Sequence, residues 1–266
     1  MAFRMRTALV ALTLAAAVAG RAIAADAPDA DTLVSRMKAV LEPSKSSIRQ
    51  LNLKISGEDG GTTQWSVAQA RKVVDGQGRI LNVLLAPAGS RGIASLTIDG
   101  TPAETALFVP SVRRVRTLLP RDGYEAFLGS DFTYFDLGFV RRGDKYTQVT
   151  DEKRNGKDAW KVEQVPSSSW FYSKIVIWID KATLLPIERD YYSPAGDLWK
   201  VETFDNIVTI QGQPVALRVT MKDVQTNGTS VIDISNLRFD VDIPDALFQR
   251  AGLSQAASSP IWKGLH

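Results

Sequence analysis

Between Leu51 and Phe248 the chain is written almost entirely in short alternating segments, and only one stretch before them carries helical spacing. Ala94, Leu96 and Ile98 alternate with polar neighbours and run into an Asp99–Gly100 turn. Val215, Leu217, Val219 and Met221 alternate as cleanly, and Asn227–Gly228 behind them is the strongest hairpin signal in the chain. Ile175 to Ile179, Leu184 to Tyr192 and Trp199 to Phe204 read as further strands. Turn signals recur without a linker, repeat or break in composition, which predicts one continuous sheet of about ten strands. The helical exception is Leu33, Met37, Val40 and Leu41, with Asp31 as the expected cap and Pro43 as the stop. A short helix is also expected after Pro244, from Asp245 to Arg250.

This imbalance decides the fold class. An antiparallel sheet with one apolar face must cover that face, and one helix of about three turns cannot cover so many strands. Such a mainly β (α+β) chain has two solutions. The sheet can close on itself as a sandwich or barrel, or it can curl into an open half-barrel with its few helices lying over a concave apolar face. The second leaves space for an apolar ligand.

The N-terminus predicts where the protein works. Arg4 and Arg6 precede an uncharged apolar run from Ala8 to Gly20, and Ala22-Ile23-Ala24 is a small-x-small cleavage site. Residues 1–24 therefore read as a signal peptide and residues 25–266 as a single exported domain, with a flexible, mostly polar tail. The apolar run is too short and too rich in alanine for a comfortable span. No cysteine follows it to take a lipid. Cleavage removes Arg4, Arg6 and Arg21, so a chain of 32 basic and 29 acidic residues becomes balanced. Balance argues against a nucleic-acid partner, which would need a basic surplus.

Catalytic parts are scarce. The chain has no cysteine, and its one histidine is the last residue, His266. Nucleophilic triads and zinc sites thus lack their components. The pairs Glu58–Asp59, Asp151–Glu152 and Asp240–Asp242 lie beside turn signals or strand ends, where solvated acids are ordinary. Gly57, Gly60–Gly61 and Gly76-x-Gly78 fit hairpin turns rather than a phosphate loop. No catalytic residue, metal or cofactor is expected. Trp65, Trp160, Trp178 and Trp199 fall in predicted strands, where they fit core packing or the wall of a hollow equally well.

The stretch from Phe108 to Leu137 is the least generic. Arg113, Arg114, Arg116 and Arg121 cluster beside Val112, Val115, Leu118 and Leu119 in a pattern that fits either a short helix or a strand. Charge of this kind blunts a sheet edge, or docks an acidic headgroup or partner. Gly129 permits a sharp turn inside Phe127–Phe132, and Phe132, Tyr134 and Phe135 follow as core plugs or as a gate.

Phe108-Val109-Pro110, Arg113-Arg114-Val115-Arg116, the run Phe127 to Phe132, Tyr134 and Asp136-Leu137 resemble the signature of the outer-membrane lipoprotein-sorting family, the LolA-like periplasmic carriers. Trp178-Ile179-Asp180, Leu185-Pro186-Ile187, Tyr192 to Gly196 and Pro244 to Phe248 extend the likeness in order. The Gln213-Pro214-Val215 stretch fits the family pattern only loosely. The resemblance implies a curved antiparallel half-barrel that shields acyl chains of a lipoprotein or lipid on their way to the outer membrane. It implies a monomer working beside an inner-membrane transporter. The alternative is a non-catalytic binding or accessory subunit of an envelope transporter. Candidate lipid contacts are Leu33 and Met37 on the helix, and Leu84, Leu96, Phe108 and Ile177 on the apolar phase of their strands; Trp178 lies on the phase opposite Ile177 and tests the choice of face. Arg113, Arg114 and Arg116 are the candidates for headgroup or partner docking.

Overall fold

The computed structural model describes residues 28–42, 45–57, 60–100, 103–118, 125–137, 144–166 and 170–265. Residues 1–24, Pro43, Glu58, Asp59, Leu119, Arg121 and His266 lie outside them.

Helix α1 runs from Ala30 to Leu41. Its cap is Asp29 rather than the expected Asp31: the Asp29 carboxylate accepts from the Thr32 amide at 2.9 Å. Asp31 stands in the first turn, where a negative charge still favours the helix dipole. Of the expected apolar stripe Leu33 and Met37 are buried, joined by Val34, while Val40 and Leu41 are half-buried.

Thirteen strands follow among the described residues, not about ten. They are β1 Ser46–Ser56, β2 Thr62–Val74, β3 Gln77–Ala86, β4 Ala94–Ile98, β5 Glu104–Val109, β6 Arg114–Leu118 and β7 Lys145–Arg154, then β8 Lys157–Val165, β9 Lys174–Asp180, β10 Pro186–Tyr192, β11 Leu198–Ile210, β12 Gln213–Asp223 and β13 Thr229–Phe239. Strand β7 is easy to overlook because Lys145 to Arg154 is polar on both phases and no residue in it is fully buried. The ambiguous basic segment resolves as strand β6. The helix expected from Asp245 to Arg250 is a pair of 3-10 turns, Asp245–Phe248 and Arg250–Gly252.

All thirteen strands form one sheet in the order β6-β5-β4-β3-β2-β1-β13-β12-β11-β10-β9-β8-β7. The chain meanders from β1 outward to β6, passes to the far edge at β7, and meanders back until β13 pairs with β1. The sheet is antiparallel and does not close, so this is an open half-barrel with β6 and β7 as its edges. Tight hairpins make the meander possible: Asp75–Gly76, Asn155–Gly156 and Gln211–Gly212 hold positive φ at both turn positions.

Register separates the two faces. Leu51 pairs with Val67 and Val67 with Leu84, while Leu53 pairs with Ile232 and Ile232 with Val219. These residues, with Val162, Ile177 and Met221, make the core of the concave face, and α1 packs its buried stripe into it. On the other face Ala68 pairs with Val83, Val83 with Ala94 and Ala94 with Phe108. There the chain's end supplies the cover: Ile243, Phe248, Leu253, Ala256, Trp262 and Leu265 are all buried against β2 to β5. The tail expected to be flexible is thus a packed segment. Each large side chain so buried contributes about 1.5–3 kcal/mol. The Trp262 indole also donates to the Ala256 carbonyl at 2.7 Å, and the buried Arg79 guanidinium donates to the Phe248 carbonyl at 2.9 Å.

Candidate functional site

Residues 125–137, the described part of the segment between the two sheet edges, pack as a plug against the concave face. Leu128 and Gly129 both adopt positive φ, which folds Phe127–Gly129 into a tight turn. Phe127 and Phe132 turn inward and are buried with Leu33, Met37, Leu84 and Ile177; Tyr134 and Leu137 pack beside them. Polar bonds fasten this plug to the sheet. The Ser230 hydroxyl on β13 donates to Asp131 Oδ2 at 2.6 Å, and the Asp131 amide donates back to Ser230 Oγ at 2.9 Å. The Lys200 ammonium on β11 donates to the Asp131 carbonyl at 2.5 Å. Further along, the Tyr172 hydroxyl donates to Asp136 Oδ2 at 3.1 Å. Burial raises the Asp131 carboxyl above its ordinary range, and the Ser230 bond and Lys200 oppose that shift.

Beyond the plug the hollow carries charge. Arg189 on β10 and Glu202 on β11 are cross-strand partners, both buried, with Arg189 Nη1 donating to Glu202 Oε2 at 3.1 Å. The Tyr191 hydroxyl donates to the same oxygen at 2.6 Å. Desolvation raises the Glu202 carboxyl, against the pull of Arg189. Desolvation also pushes the buried Tyr191 hydroxyl well up, and neighbouring Glu202 adds to it. The tilted rings of Tyr172 and Tyr191 lie 4.8 Å apart and those of Phe171 and Trp199 4.7 Å apart, an aromatic wall at the β9–β11 end.

A cavity of about 150 Å³ opens between these elements. Leu51, Phe132, Leu137, Phe204, Val219 and Ile232 give it apolar walls. Glu42, Arg49 and Arg71, with Gln69 beside them, bring charge from the end of α1, β1 and β2, and Arg189 and Glu202 line it separately from β10 and β11, with the Arg189 guanidinium over the Phe204 ring at 4.8 Å. A hydrogen-bonded ladder leads away from it across the concave face. Arg49 Nε donates to Gln69 Oε1 at 2.7 Å, Gln69 Nε2 to Asn82 Oδ1 at 2.9 Å, and Asn82 Nδ2 to Ser95 Oγ at 3.2 Å. Desolvation first, and then the like charge of Arg71, lower the Arg49 guanidinium to about 9.

Of the expected lipid contacts, the structure brings Leu33, Met37, Leu84 and Ile177 into one cluster on the concave side. Leu96 and Phe108 are buried on the opposite face, under the C-terminal segment. Trp178 also faces away, beneath the Arg154 guanidinium at 4.1 Å, with its indole donating to Glu152 Oε2 at 3.0 Å. Arg113 sits in the β5–β6 turn with φ 50°, and Arg114 and Arg116, on edge strand β6, pair with Val109 and Leu107 of β5; all three arginines are exposed. Phe135 is a core residue in a small cluster with Ile80.

Sequence reading missed Arg49, Arg71, Arg189 and Glu202. The available signal was phase: Arg49 shares its alternation with Leu51 and Leu53, and Glu202 shares its own with Phe204, so each charge falls on the same face as buried apolar residues. Among the described residues no group of three or more acids or histidines could hold a metal ion, and no helix is long and apolar enough to cross a membrane.

A family model described as "Uncharacterized protein" matches residues 76–255. No curated protein matches the sequence. Among solved structures, one described as an outer membrane lipoprotein-sorting protein domain from Vibrio parahaemolyticus superposes with a TM-score of 0.78 at 25% identity, over 85% of this chain and 98% of that one. A DUF1329 family protein from Desulfovibrio piger gives 0.78 at 26% identity, over 84% and 96%. A LolA superfamily protein from Nitrosomonas europaea shares the fold, with 0.70 at 21% identity over 84% and 98%. These neighbours agree with the lipoprotein-sorting resemblance that the sequence carries.

Proposed function

This chain belongs to the family of uncharacterized proteins whose model matches residues 76–255, and from that premise we propose that it is a periplasmic carrier that shields the acyl chains of a lipoprotein or lipid during transfer toward the outer membrane. The observation that carries the reading is the concave face itself: an apolar surface under α1 and the Phe127–Leu137 plug, with a cavity left between them. A plug tied down by a few polar bonds can be displaced, and each acyl methylene that replaces it in the hollow contributes about 0.8 kcal/mol. The lipoprotein-sorting description of a neighbour with the same fold supports the same reading.

The reading has three corollaries. Residues 1–24 are removed as a signal peptide on export and residues 25–266 act as one domain. The protein is non-catalytic and monomeric. Leu33, Met37, Leu84 and Ile177 contact the acyl chain, and Arg113, Arg114 and Arg116 dock an acidic headgroup or a partner such as an inner-membrane transporter. The test is binding of a fluorescent long-chain fatty acid and of its short-chain analogue to the purified protein. Strong binding of the long chain alone supports a carrier. Equal affinity for both means no acyl pocket, and the proposal falls.

A further inference from the structure

We infer that Arg49, with Arg71 beside it, binds the anionic headgroup, a carboxylate or phosphate monoester, of a single-chain amphiphile whose tail lies along the apolar walls of the cavity. The inference rests on the carrier reading and adds the charge of the ligand to it.

Placement comes first. Arg49 lies on the concave phase of β1 with Leu51 and Leu53, and it lines the cavity. A strand that puts a guanidinium there sets a cation beside apolar walls. Partnering comes second. Among the described residues Arg49 makes one side-chain hydrogen bond, through Nε to the neutral Gln69, and no ion pair. Gln69 is itself committed to Asn82. A guanidinium has five N–H donors in a planar fork suited to carboxylate and phosphate oxygens, so most of its capacity remains without a protein acceptor.

The neighbourhood then fixes the sign. Arg71 is the diagonal neighbour of Arg49 on the same face, since Arg49 pairs with Gln69 and Arg71 with Ser47. Arg71 is ion-paired with Glu42. On the far wall Arg189 is answered by Glu202. Arg49 is therefore a second cation beside a pair that is already neutral. Desolvation and the like charge of Arg71 disfavour its charged form and Glu42 opposes them, so a bound anion would act in the same direction as Glu42. Leu51, Phe132 and Ile232 line the same cavity and give the headgroup's chain an apolar path.

The experiment compares dodecanoate, dodecyl phosphate, dodecanol and inorganic phosphate as ligands of the purified full chain, by calorimetry. The two anionic amphiphiles should bind about tenfold or more tightly than dodecanol, the scale of a charge-assisted hydrogen bond. Inorganic phosphate should compete only weakly. Arg49→Met should abolish the preference for the anionic amphiphiles over dodecanol, while Arg49→Lys retains part of it. Arg71→Gln, which leaves Glu42 to pair with Arg49, should also weaken the preference and serves if Arg49→Met fails to fold by circular dichroism. Equal binding of dodecanoate and dodecanol to the wild type overturns the headgroup site but not the carrier reading. A preference that survives in the variants overturns it too. Inorganic phosphate binding as tightly as dodecyl phosphate would make this a free-anion site. Failure of every dodecyl ligand to bind sinks both readings together.

Discussion

Ser230 on β13 and Asp131 in the plug, 99 residues apart in the chain, hold each other through two hydrogen bonds of 2.6 and 2.9 Å. The contact is crowded as well as polar: a Cβ at Gly228 would stand 2.7 Å from Asp131 Oδ1. The segment that covers the hollow is therefore latched to the last strand of the sheet by a small, specific site.

Breaking that latch should loosen the plug before it unfolds the sheet. Ser230→Ala and Gly228→Ala are each expected to cost about 1–3 kcal/mol in urea denaturation. Both should speed the association of a fluorescent long-chain fatty acid. An unchanged association rate in both variants would show that the plug does not control access.

The two faces of the sheet should separate stability from binding. Leu84→Ala and Ile177→Ala remove concave contacts and should lower both, with a stability loss of about 2–5 kcal/mol. Leu96→Ala on the opposite face should cost a similar amount of stability and leave acyl affinity unchanged. If Leu96→Ala weakens binding as much as Leu84→Ala does at matched stability, the assignment of faces to ligand is wrong.

Trp262 tests the C-terminal cover. Trp262→Ala should destabilise the chain by about 3–5 kcal/mol. Truncation after Phe248 should expose the apolar surface of β2 to β5 and increase binding of a hydrophobic dye. A truncated chain with wild-type urea midpoint and no added dye binding would show that the segment only rests on the sheet.

The outer face of β10 predicts a pH dependence. Burial, and then neighbouring Glu188, push the Asp190 carboxyl up to about 7. Arg154 pairs with Glu188 and stands 3.8 Å from Asp190, which is too little to offset them. A folded-state pKa raised above the unfolded value means that the folded chain holds the proton more tightly. This group's contribution to stability is full below about pH 4 and is lost as pH rises through about 7. Asp190→Asn should flatten the fall between those limits and raise stability on the alkaline side. An identical pH–stability curve for the variant would refute the shift.

The basic edge of β6 gives a salt-dependent prediction. Arg114→Glu with Arg116→Glu should weaken transfer of a lipid from donor to acceptor vesicles while leaving the unfolding free energy in urea within about 0.5 kcal/mol of wild type. The deficit should shrink as ionic strength rises, because exposed charges are screened within about 10 Å at 0.1 M salt. Transfer unaffected at low salt would leave these arginines as a charged strand edge and nothing more.

Alternation, turn chemistry and the shortage of helical spacing were sufficient to read a single antiparallel sheet with one covering helix. Those are local properties: side-chain phase along a strand, and the φ preferences of Asn, Asp and Gly at turns. The Gly129 turn and the Asn227–Gly228 hairpin were legible for the same reason, and so was the stripe Leu33–Met37. What alternation cannot do is say which phase faces inward. Leu84 and Leu96 look alike in the sequence, yet Leu84 packs under α1 and Leu96 under the chain's own end. That difference exists only because Ile243 to Leu265 returns to cover one face of β2 to β5, a contact between residues more than a hundred positions apart. The charged lining of the cavity was hidden in the same way. Arg49, Arg71, Arg189 and Glu202 are scattered over four strands, and each by itself reads as an ordinary solvated side chain. Only the register of β1 with β2 and of β10 with β11, on a sheet curved around a plug, turns all four toward one largely apolar hollow. Strand phase is written locally, whereas the identity of the inside is a property of the closed-over whole.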